Sequence, residues 1–117
     1  YLDEHAWYES QVEHTSGDPR CNFVYLRNGV KAQEFISQAQ ETFGQAAYVC
    51  TNGQLIDAGW VVEGSSRYSP DVYLIWNDVK VAYDRRFSKP HYLKMIGQHG
   101  GISDTEMRVP LVRLGKY

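Results

Sequence analysis

The chain has 117 residues, which is enough for one compact domain with a hydrophobic core and too few for two. Apolar residues make up 43% of the chain and charged residues 22%, which is the ordinary range of globular proteins. The net charge of −2, without any dense basic stripe, excludes a typical nucleic-acid-binding protein, and no apolar run approaches the length of a membrane span.

Charge is unevenly distributed along the chain. Residues 1–20 carry five acidic side chains and one basic side chain, whereas the segment from Lys80 onward carries eight basic and three acidic ones. A basic C-terminal third can attract phosphate-bearing ligands, although a solvated surface explains the same charges. Cys21 and Cys50 form no C-x-x-C pair, so we interpret both as small core residues.

The first half of the chain predicts a β-α-β unit. Residues 1–16 form a poorly defined acidic lead-in, and turn-forming residues follow at 15–19. Residues 22–27 are rich in β-formers and predict a strand, and apolar residues from Phe35 to Phe43 recur at helical spacing. A second strand is predicted over residues 46–51, and the connection is right-handed by default.

The second half predicts further strands. Thr51 or Asn52 is expected to cap a short helix over residues 54–58. Residues 71–76 and 79–83 alternate around Asn77-Asp78, which predicts a two-residue hairpin, and a last strand is predicted over residues 109–114.

These elements predict one α+β domain over residues 1–117. We expect a β-α-β unit followed by a β-hairpin in a mixed sheet, and a glycine-rich loop that leads to a C-terminal strand. The body of the domain is expected over residues 17–88, and the loop and last strand over residues 89–117.

Residues 97–101 read GQHGG, so glycines flank His99 on both sides. Glycine permits backbone conformations and close approaches that other residues cannot make, which suits an imidazole at a cramped site. The pattern alone is nevertheless more typical of a loop histidine than of a metal ligand. A zinc site needs three or four ligands, and His5, His14 and His91 show no suitable spacing.

Residues 97–112, which read GQHGGISDTEMRVPLV, resemble the C-terminal signature of the type I phosphodiesterase and nucleotide pyrophosphatase branch of the alkaline phosphatase superfamily. In that family a G-x-H-G turn precedes E-M-x-V-P-L at this spacing. The resemblance covers residues 17–115 and includes PRCNFVY at 19–25, LIDAG at 55–59 and PDVYL at 70–74. It implies that His99 is a ligand of one of two active-site metals, usually zinc.

The family's Thr or Ser nucleophile and its later Asp-His pair belong upstream of this segment, and neither motif occurs here. The resemblance therefore implies the C-terminal portion of a larger phosphoric-ester hydrolase, and the start at Tyr1 agrees with an excised segment. The partner would be the remaining catalytic portion of the same polypeptide, and the substrate a phosphate ester. We expect the isolated chain to be inactive and to bind no zinc by itself.

Several side chains near His99 have two interpretations. Asp104 and Glu106 can support the His99 ring or cap a helical turn, and we favour capping. Lys94, Arg108 and Arg113 can meet substrate phosphate, but surface solvation is the simpler interpretation. We expect residues 97–106 to be the most mobile internal loop, because Ile102 is the only strongly apolar side chain in it.

Two other classes of function remain open at the level of sequence. One is a self-standing α+β module that binds a ligand or regulates another protein. The other is a protein-interaction domain that uses an aromatic-rich sheet surface, since the chain has nine Tyr and three Trp.

Overall fold

The computed structural model describes residues 1–64, 69–112 and 115, and these form four strands and four α-helices. The strands are β1 (Val12–Asp18), β2 (Cys21–Leu26), β3 (Ala47–Thr51) and β4 (Val72–Trp76), and the helices are α1 (Ala6–Gln11), α2 (Ala32–Phe43), α3 (Asn52–Asp57) and α4 (Asp104–Met107). Single 3-10 turns occur at Leu2–Glu4, Gly44–Ala46 and Tyr92–Lys94. The α+β class predicted from the sequence is confirmed.

The four strands form one sheet in the order β1-β2-β4-β3. Helix α2 connects β2 to β3, and both strands pair antiparallel with β4, so they run in the same direction. The predicted β-α-β connection is present, but β4 lies between its two strands. All three neighbouring pairs are therefore antiparallel, and the expectation of a mixed sheet was wrong.

Both faces of the sheet are covered, and all five residues of β4 are buried. Val72, Leu74 and Trp76 belong to the larger core, which includes buried residues of α1 and α2. Tyr73 and Ile75 face the smaller core together with Cys50 and Leu55. Because side chains alternate along a strand, β4 joins two separate hydrophobic layers.

The elements with strong local signals form as predicted. Phe35, Ile36 and Ala39 line the buried side of α2, and Gly44 ends the helix with a φ of 54°. Thr51 caps α3 because its hydroxyl accepts a hydrogen bond from the Gln54 backbone N–H at 3.2 Å.

The hairpin predicted across residues 71–83 was wrong. Strand β4 forms, but residues 79–83 are not a strand, and Val79 is 93% exposed. The physical reason is that β4 already pairs with β2 on one edge and with β3 on the other, so no edge is free. Within the described residues, a hairpin joins β1 to β2 through Pro19-Arg20.

The two ends of the chain also differ from expectation. The lead-in contains α1 and the start of β1, and it buries Leu2 and Tyr8 almost completely. At the other end, the strand predicted over residues 109–114 is absent from residues 109–112, and residues 113–114 lie outside the described part. Val109 and Leu111 are each 80% exposed, and Pro110 has no N–H to donate to a sheet.

Candidate metal-ligand loop and adjacent cleft

The glycine-rich segment forms a loop between the 3-10 turn Tyr92–Lys94 and helix α4. Helix α4 begins after Ser103, and Glu106 accepts hydrogen bonds from the Ser103 backbone N–H at 3.3 Å and from its hydroxyl at 2.5 Å. These contacts give Glu106 the capping role that we favoured from the sequence.

Glu106 also forms a bidentate ion pair with Arg20, whose Nε and Nη2 lie 2.9 and 2.7 Å from the two carboxylate oxygens. The Arg20 side chain is only 4% exposed, and its Nη1 donates to the Lys80 carbonyl oxygen at 2.5 Å. The hydrogen bonds from Arg20 and then Ser103 hold the pKa of Glu106 well below its usual range. The same pair raises the pKa of Arg20.

Two glycines of the loop pack so closely that a side chain would not fit, Gly101 against this pair and Gly100 against Asp18. The Gly101 backbone N–H donates to Glu106 Oε1 at 3.0 Å, and a Cβ at residue 101 would lie 2.5 Å from Glu106 Oε2 and 2.7 Å from Arg20 Nη2. Gly100 has a φ of +93°, and a Cβ there would lie 2.8 Å from Asp18 Oδ2. The glycines around His99 thus permit close packing against the β1–β2 turn.

His99 is exposed and lies at the wall of a cleft of about 430 Å³. The cleft is formed by the β1–β2 hairpin on one side and by residues 82–99 on the other. Besides His99, its titratable lining includes Asp18 and Lys89. Its more apolar lining comes from Tyr83, Phe87, Tyr92 and Met95.

A buried hydrogen-bonded network lies beside the cleft. Thr15 donates to Asp84 Oδ2 at 2.8 Å, and the Tyr8 hydroxyl lies 2.8 Å from the Thr15 hydroxyl. Arg86 completes the network through a hydrogen bond of 2.7 Å from its Nη2 to the same Asp84 oxygen. Burial raises the pKa of Tyr8, so this hydroxyl stays protonated. The Thr15 hydrogen is used for Asp84, which makes Tyr8 the donor of its pair.

The other histidines each contact an aromatic ring. His5 contacts Phe43, His14 contacts Phe87 and His91 contacts Tyr92, with ring centroids 5.5, 4.6 and 4.2 Å apart. Within residues 1–64, 69–112 and 115, no group of three or more His, Cys, Asp or Glu side chains could hold a metal ion. A zinc site takes three or four ligands, and the described residues place no such set around His99.

No protein-family model, curated protein or solved structure matches this chain. The part of the chain that the structure describes contains no helix long and apolar enough to cross a membrane.

The remaining candidates from the sequence lie on the exposed surface or outside the described residues. Asp104 pairs with Arg108 at 2.8 Å on the exposed side of α4, and Lys94 is exposed. Arg113 lies outside the described residues.

The hydrogen bonds that Arg20 and Gln98 make were not predicted from the sequence. Arg20 and Glu106 are 86 positions apart, and no local pattern connects residues at that separation. Gln98 Nε2 donates to the Tyr83 hydroxyl at 2.6 Å, and this hydrogen bond likewise has no sequence signature.

Proposed function

We propose that this chain is the C-terminal segment of a metal-dependent phosphoric-ester hydrolase of the phosphodiesterase and nucleotide pyrophosphatase type. In this proposal His99 contributes one metal ligand, and the remainder of the same polypeptide contributes the nucleophile and the other ligands. The observation that carries the proposal is the GQHGG…EM-x-VPL segment, in which Gly100 and Gly101 pack tightly while His99 stays exposed beside a cleft.

The composition of the loop supports a role in metal binding. A zinc-bound imidazole must be neutral and accessible, and His99 is an exposed side chain at the wall of the cleft. Zinc, when bound, would polarise a phosphoryl oxygen of the substrate. The residues of this chain would orient the imidazole and provide the wall of the cleft beside it.

The cleft is also the observation that favours the second candidate, a self-standing ligand-binding module. Its volume of about 430 Å³ falls in the range of small-molecule sites, about 300–1,000 Å³. Under this alternative, Lys89 and the aromatic lining would bind a ligand without any metal.

Hydrolysis of a diester and of a monoester, each with and without added zinc, tests the first candidate. We expect no turnover by the 117-residue chain, and zinc-dependent turnover by the longer polypeptide that we propose contains it. In that polypeptide His99→Ala should abolish activity, whereas His91→Ala should not, because His91 is an exposed histidine beside Tyr92. Turnover by the isolated chain would contradict the segment proposal, and full activity of His99→Ala would contradict the ligand role.

A further inference from the structure

A metal ligand on a glycine-rich loop must be held in place by residues outside the loop. Residues 97–101 contain three glycines, and each glycine increases the conformational freedom of the backbone. Productive metal sites hold their ligands to within about 0.5 Å. Contacts from outside the loop must therefore restrict the backbone around His99.

The structure provides such contacts on the C-terminal side of His99. Two residues after His99, the Gly101 backbone N–H donates to Glu106, and the same carboxylate receives the bidentate pair from Arg20. Arg20 occupies the two-residue turn between β1 and β2, and it is fixed further by the Lys80 carbonyl oxygen. This chain of contacts connects the loop to the sheet through side chains that are mostly shielded from water.

A second set of contacts restricts the backbone on the N-terminal side of His99. Gln98 donates to the Tyr83 hydroxyl, and Tyr83 donates in turn to the Tyr92 carbonyl oxygen at 3.2 Å. The Tyr83 carbonyl oxygen accepts from the Leu2 backbone N–H at 2.9 Å, and Leu2 is buried in the larger core. The residues on both sides of His99 are thus connected to the body of the domain.

From this arrangement we infer that Arg20 and Glu106 are positioning residues for His99. We call the Arg20–Glu106 ion pair, together with its hydrogen bond to the Gly101 N–H, the clamp. The clamp orders the loop before any metal binds. The His99 imidazole therefore already lies at the cleft, and metal binding does not have to order the loop. The role of the imidazole as a ligand rests on the proposed function, whereas the clamp itself does not.

Amide exchange and nuclear spin relaxation of the metal-free 117-residue chain test the clamp directly. In Glu106→Gln, the Gly101 amide should exchange about tenfold faster or more, while the β4 amides keep their rates. The order parameter of the His99 amide should fall from about 0.85 towards about 0.6. Asp104→Asn is the matched control, because it removes a carboxylate from the same helix at an exposed position.

Arg20→Lys provides an independent variant if Glu106→Gln does not fold. It keeps the positive charge but loses the bidentate geometry, so we expect an intermediate effect on the same two readouts. The inference is overturned if His99 keeps its order parameter in the folded variant. It is also overturned if the β4 amides accelerate by the same factor as Gly101, because the pair would then act on global stability alone.

Zinc titration of the longer polypeptide separates this inference from the proposed function. If both hold, Glu106→Gln should weaken zinc binding about 10- to 100-fold, as loss of a supporting contact does in other metal sites. Equal zinc affinity of the variant and the parent would overturn the clamp. Loosening of the loop in a polypeptide that binds no zinc would support the clamp and contradict the hydrolase.

Discussion

The body of the domain and the segment after β4 are held together by different forces. In the body, β4 is buried along its whole length, and Leu74 and Phe35 have no measurable exposure. In residues 77–112 large apolar side chains such as Ile96 and Leu111 are exposed, at 103% and 80%. Ala82 and Ile102 of this segment pack against the two cores. Its side-chain hydrogen bonds to the body centre on Glu106 and Asp84.

The difference shows that, in a small domain, one set of contacts can stabilise the fold while another set positions a functional loop. Apolar burial stabilises the sheet without directing any one side chain outward. Directional hydrogen bonds can then fix a loop that buries little apolar surface. A change in the polar contacts should therefore alter the loop while the sheet remains folded, which is the general behaviour of proteins whose regions differ in local stability.

The largest loss of stability should come from a substitution in the hydrophobic core. Phe35 packs against Trp7 and Tyr8 with ring centroids 5.3 and 5.8 Å away, so Phe35→Ala leaves a cavity between α1 and α2. We expect the free energy of unfolding in urea to fall by about 3–5 kcal/mol. The control Leu111→Ala, in the exposed segment, should change it by less than about 0.5 kcal/mol. Similar losses in the two variants would contradict the distinction between the regions.

Alkylation of the two cysteines should be slow in the folded chain, because the body of the domain shields both thiols from solvent. Burial raises the pKa of Cys21 and of Cys50 from 9.0 to about 11 in each case. At a fixed pH near 8 the thiolate population should be about 100-fold lower than in the unfolded chain, and alkylation by iodoacetamide should slow accordingly. Equal alkylation rates with and without urea would show that the smaller core is open to solvent.

A smaller effect is expected where the two regions meet. The Tyr8 hydroxyl donates to Thr15, which donates to Asp84 in the C-terminal segment. Tyr8→Phe removes one buried hydrogen bond and should lower the free energy of unfolding by about 0.5–1.5 kcal/mol. Tyr48→Phe, at a side chain that is 54% exposed, should leave it unchanged within about 0.5 kcal/mol. The Thr15 network is unimportant for stability if both variants unfold alike.

The pH dependence of the loop gives the smallest expected change. An ordinary glutamate titrates near about pH 4.3, but hydrogen bonds from Arg20 and Ser103 lower the pKa of Glu106. The stabilisation from this carboxylate is present above the ordinary value and is lost as the pH falls through the lowered one. We therefore expect the carbon-13 shift of the Glu106 carboxyl carbon to show no inflection near about pH 4.3. An inflection there would mean that Glu106 is not paired in solution.

Local patterns in the sequence predicted much of the body. The helical spacing around Phe35 identified α2, and β-rich runs identified β2, β3 and β4. Strand β1 was missed because Thr15, Ser16 and Gly17 favour turns locally, whereas pairing with β2 decides their conformation. Pairing also explains the wrong hairpin, since the occupied edges of β4 are a property of the whole sheet.

The candidate site was predicted only in part. The capping role of Glu106 was predicted from a short contiguous segment, and the ligand role of His99 stays a prediction. The expectation of a mobile loop assumed Ile102 as its only anchor, but Arg20 provides a second one from 86 positions away. That residues 97–106 are the most mobile internal loop stays an untested prediction, and the contacts of Gln98 and Gly101 now predict the opposite for residues 98–101.

The ligand role of His99 is tested most directly by metal substitution. With cadmium-113 bound to the longer polypeptide, nuclear magnetic resonance can detect scalar coupling between the metal and the ring of each ligating histidine. We predict coupling to His99, and a loss of one bound metal ion in His99→Ala but not in His91→Ala. Full metal occupancy in His99→Ala, with no coupling to His99 in the parent, would contradict the proposed function.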